Sequence, residues 1–117
     1  MRPRFLSAFL AVVLGSGAPV PARAQAVDPE MERGIRQAQE GESEQAIVTL
    51  REALPRLGER HAPPRDIARV HVYLGVAHLG LDDPAAARAS FLEALRVDPG
   101  LTLRSEEFPP RVVRAFE

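Results

Sequence analysis

Cysteine and lysine are both missing from this 117-residue chain. Without a thiol there is no disulfide, no thiolate metal site and no N-terminal cysteine to carry a lipid, so a lipoprotein is excluded. The same lack leaves the redox compartment open. All fifteen basic residues are arginine, which a coding bias toward Arg, Ala and Pro explains as well as a need for bidentate carboxylate pairing. A concentrated basic face is also lacking. With a formal charge of -1, nothing points to nucleic acid or to a specific membrane lipid. No pair of histidines four apart encloses a glutamate, and no glycine-rich phosphate cradle is present. Ser7, Ser16, Ser43, Ser90 and Ser105 lack a nucleophile motif. His71 and His78 lie about 10 Å apart along a helix at 1.5 Å per residue, too far to share one metal. They read as partly buried polar aromatics between helices. The chain is therefore expected to have no catalytic residue, no metal and no cofactor.

What is present begins with an address. Arg2 and Arg4 precede a short apolar stretch at residues 5–17, and Ala22-Arg23-Ala24 supplies a small-x-small site, the anatomy of a secretory signal. Residues 1–24 are expected to be removed, with cleavage after Ala24 or Ala26 and a periplasmic or secreted product. A retained membrane anchor is the weaker reading, because a bilayer span needs about 20 apolar residues. Removal of three arginines leaves a mildly acidic domain of about -4 over 93 residues. A chain of that size buries roughly 60 to 65% of its unfolded surface in one core.

Beyond that point helix signals alternate with turn signals. Asp28-Pro29 and Asp83-Pro84 are helix starts, since the Asp oxygen accepts an orphan amide and Pro tolerates the first helical position. The spacing predicts helices from Pro29 to about Gln39, from about Ser43 until residues 58–64, over about residues 65–81, and from Pro84 to the stop at Asp98-Pro99-Gly100. Ala46, Ile47, Leu50, Ala53, Leu54 and Leu57 give the second a broad apolar face. Apolar residues lie on most of the circumference of the third, so it is expected to sit between neighbours. Residues 101–108 read as irregular. Pro109-Pro110 opens a short helix with Val112, Val113 and Phe116, which must dock to be stable.

Within the second pair, Leu74-Gly75, Ala87, Phe91, Ala94 and Pro99 form a pattern. Small residues let antiparallel helices approach, Leu74 and Phe91 fill the seam, and Pro99 stops the second helix. Gly34, Ala46, Leu50 and Ala53 repeat the spacing of Gly75, Ala87, Phe91 and Ala94 at an offset of 41. The excess of seven over a 34-residue repeat is expected to form a longer loop at residues 57–64. This pattern resembles the tetratricopeptide repeat (TPR) family, bacterial envelope type. His71 and His78 stand where that family usually has aromatics, and Arg33 replaces the leucine before Gly34.

The resemblance implies an all-α fold with two TPR-like antiparallel helix pairs, residues 27–60 and 68–101, and a short C-terminal capping helix within residues 102–117. It further implies a non-enzymatic adaptor or scaffold that holds a protein or peptide partner. Carried over by position, the partner-binding groove comprises Met31, Ile35, Arg69, Val72, Val76 and Leu79. Val72 and Val76 disfavour a clamp for a terminal carboxylate. An apolar groove is the expectation, with two alternatives beside it. The tail residues Val112, Val113 and Phe116 cover the same face, or the module is structural, self-associates as a homodimer, or opens a larger envelope protein.

Overall fold

The computed structural model describes residues 28–117, and the expected leader at residues 1–24 lies outside them. Asp28 accepts the amides of Glu30 and Met31 at 2.9 and 3.0 Å, and with Pro29 in the first turn it opens α1 (Pro29–Gln39). Arg56 and Arg60 reach the same carboxylate at 3.5 and 3.2 Å, tying the start of α1 to the end of α2 (Ser43–Glu59). Next come α3 (Pro64–Gly80) and α4 (Pro84–Val97), the latter capped by Asp83, which accepts the Ala86 amide at 3.1 Å. The short α5 (Pro110–Phe116) completes the described residues, which contain no strand.

The three turns that follow α1, α2 and α3 share one construction. Each has a left-handed residue just past the helix: Gly41 at φ 82°, His61 at 55° and Asp82 at 56°. The next amide reaches back into the last turn, Glu42 to the Gln37 carbonyl, Ala62 to Leu57 and Asp83 to His78, at 2.8 to 2.9 Å. This pairing satisfies carbonyls that a helix end otherwise leaves unbonded. It also folds the chain straight back, so α1 packs on α2 and α3 on α4 as antiparallel hairpins.

The hairpins are copies in their packing as well as their spacing. A β-carbon at Gly34 would stand 2.6 Å from Leu50, and one at Gly75 only 2.2 Å from Phe91. Each glycine lets its hairpin partner lie directly against the helix backbone. Ala46, Ala53, Ala87 and Ala94 are completely buried in the same seams. Leu74 is also interior, whereas Pro99 is exposed just beyond the end of α4.

The seven-residue excess is a correction to the expected loop. Since α2 has 17 residues and α4 has 14, part of the excess extends the helix, and only residues 60–63 connect α2 to α3. Leu57 explains this, because it continues the buried stripe one turn beyond Ala53 and keeps the backbone helical.

As its nearly all-round apolar sequence predicts, α3 is the central element. It packs against α1, α2 and α4 and buries Ala68, Val70, Val72, Tyr73, Leu74, Gly75, Ala77 and Leu79. At its end, Gly80 approaches Ser43 so closely that a β-carbon would lie 2.2 Å from the Ser43 hydroxyl. The seam between the hairpins is thus built on small residues, like the seam within each. The fold is an all-α helical repeat with a short C-terminal capping helix.

Candidate functional site

One side of α1 and α3, together with residues 101–112, encloses the most developed cavities of the described residues. Phe108 comes down between them. Its ring lies 5.5 Å from that of Tyr73 with a tilt of 41°, and it is 9% exposed. On one side is a cavity of about 420 Å³ bordered by Arg65, Arg69, Val72, Leu101 and Leu103. On the other is a cavity of about 630 Å³ bordered by Gln39, Val76, Leu79, Arg111 and Val112. Tyr73, Glu107 and Phe108 border both, so the two are halves of one groove divided by a single ring.

Polar contacts fix the walls. Arg69 bonds Glu32 at 3.0 Å across α3 and α1 and lies 5.7 Å over the Tyr73 ring, while the Gln39 amide donates to the Tyr73 hydroxyl at 3.3 Å. Arg111 donates from one nitrogen to the Leu79 carbonyl and the Asp82 carboxylate, each at 3.0 Å. A guanidinium at the end of α3 suits the negative pole of that helix.

The expected groove residues divide into two sets. Arg69 is exposed and Val76 half-buried, and both border the cavities. Met31, Ile35, Val72 and Leu79 are only 4, 2, 2 and 6% exposed; they belong to the core, and an open groove made of these six is corrected accordingly. The reason is direct packing of α1 on α3, which turns the shared stripe inward and leaves only the edges of Val72 and Leu79 at the cavity walls. The tail covers the face differently from the expectation. Phe108 and Val112 do so, whereas Phe116 turns to α4 and meets Phe91 edge-on at 5.5 Å. Phe108 and Tyr73 were the residues missed by periodicity, since one lies in an irregular segment and the other stands among several apolar neighbours. A bulky aromatic directly before Pro109-Pro110 was the available signal.

The histidines stand apart from this groove, on the side of α3 that meets α4. Burial lowers the pKa of His71, with Glu93 opposing, and burial together with Arg51 lowers that of His78, with Asp83 opposing. Among the described residues no three His, Cys, Asp or Glu side chains are gathered as a metal would require, and no helix is long and apolar enough to cross a membrane. No protein-family model, curated protein or solved structure matches the chain.

Proposed function

We propose that this chain is a non-enzymatic adaptor that holds a segment of a partner polypeptide in the groove between α1, α3 and the tail. The observation that carries the reading is the pair of cavities flanking Phe108, 420 and 630 Å³ with apolar floors and arginine-bearing rims. Pockets of this size admit side chains of a bound segment. The repeat spacing supports a TPR-like assignment, and the signal anatomy of residues 1–24 supports a place in the bacterial cell envelope.

The test is selection of peptides from a random displayed library on the immobilised full chain and on Val76→Glu. Val76 is half-buried at the cavity wall, so a charge there alters the groove with less cost to the core than one at Val72. The expected result is enrichment on the parent and at least tenfold weaker retention on a variant with unchanged helical content. Equal retention by both, or enrichment on neither, overturns the adaptor reading.

A further inference from the structure

Resting on that reading, we infer that the tail is a resident stand-in for the partner, and that the partner displaces it with a segment of the same chemistry: an aromatic residue, prolines and an arginine in the order of Phe108-Pro109-Pro110-Arg111. The structure shows what the groove accepts, because the tail is seated in it. Phe108 offers an aromatic face to Tyr73, and Arg111 offers its guanidinium to the Leu79 carbonyl and Asp82. Pro109 and Pro110 lack amide hydrogens and so leave no donor unpaired beside an apolar wall. Their restricted backbone also reduces the ordering that binding requires.

Two features argue for displacement over permanent closure. A tail serving only to seal the core would fill the face, yet cavities of 420 and 630 Å³ remain on either side of one ring. The polar attachments are also weak, since the Asp82 side chain is 89% and Arg111 59% exposed, and exposed ion pairs contribute little. The tail has only one short helix, α5, of seven residues, which does not persist without its dock. Between α4 and α5 lies an irregular connection, residues 98–109, that includes Gly100. It gives the segment freedom to leave while the hairpins stay folded.

The experiment uses a labelled peptide of residues 105–117, titrated into the full parent chain and into full-length Phe108→Ala. The variant is expected to bind at least tenfold more tightly, because its own tail no longer competes. Peptides with Ala in place of the Phe corresponding to Phe108, or of the Arg corresponding to Arg111, are expected to lose at least fivefold. Equal binding to parent and variant, or binding of neither above a scrambled control, overturns the inference. Should Phe108→Ala lose helical content, Arg111→Ala serves in its place, since its contacts are exposed. Light scattering on the parent is expected to give a monomer. A dimer that Phe108→Ala dissolves would place a second copy's tail in the groove and overturn the assignment. If library peptides are enriched on the parent but lack aromatics, and the tail peptide fails, this inference falls and the adaptor reading stands. If the tail peptide behaves as expected and no library peptide is enriched, the adaptor reading falls and takes displacement by a partner with it.

Discussion

Three helical glycines report three different packing environments, and alanine at each should give a different sign. At Gly58 nothing lies within 4 Å of a new β-carbon, so Gly58→Ala should stabilise by about 0.5–1 kcal/mol through helix propensity alone. Gly34→Ala meets the flexible end of Leu50 at 2.6 Å; a rotamer change can relieve most of that overlap, and the net effect should be within about 1 kcal/mol of zero. Gly75→Ala meets the Phe91 ring at 2.2 Å, and a ring wedged in a closed seam has nowhere to turn. Overpacking of this kind costs about 1–3 kcal/mol, more than the propensity gain, so Gly75→Ala should destabilise. Urea unfolding of the three variants checks the order; a stabilised Gly75→Ala would mean that the seam is looser than described.

At the scale of elements, the repeated turn chemistry makes its own prediction. His61 holds a left-handed backbone that glycine adopts without strain, as Gly41 does after α1, and it is exposed. His61→Gly should therefore raise stability by about 0.5–1 kcal/mol, seen as a shift of roughly 4 °C in thermal melting. All five helices were legible from caps, prolines and apolar spacing because those signals act within a few residues. Asp28-Pro29 and Asp83-Pro84 state their helix starts outright, and the Gly34–Leu50 and Gly75–Phe91 seams follow from spacing. The end of α2 was not legible, because Gly58 reads as a terminator and only the burial of Leu57 against other helices overrides it. For the groove, sequence located the right helices and some of the wrong side chains. Met31 and Ile35 share a stripe with the cavity wall, and the angle at which α1 meets α3 decides which edge of that stripe faces out. No local signal encodes that angle.

For the whole molecule, acid should act in two steps. Burial lowers the pKa values of both His71 and His78 from the ordinary 6.5. Folding favours their neutral forms, so this stability is full above the unfolded value and is lost as pH falls through the folded values. Burial raises the Asp28 pKa, but the Met31 amide, Arg56 and the Glu30 amide together outweigh it and hold the carboxyl below its ordinary 3.8. That contribution is present above the unfolded value and disappears as pH falls through the folded one, giving a second step at lower pH. Urea midpoints should be level at pH 7 to 8, decline below the ordinary histidine value, and decline again in stronger acid. Asp28→Ala should cost about 1–2 kcal/mol at pH 7 through the lost cap and flatten the lower step; an unchanged lower step would assign it to other carboxylates.

The central position of α3 has a consequence for how this chain came to be and how it can fail. Two hairpins with the same seam and the same turn look like a duplication, in which each half begins as an equal. Yet α1, α2, α4 and the tail all rest on α3, and α1 and α2 have no comparable hold on α4. The inheritable unit is the hairpin, whereas the cooperative unit is everything that touches the third helix. A nascent chain released after α2 should therefore be a substrate for proteases, and one released after α4 should already resist them.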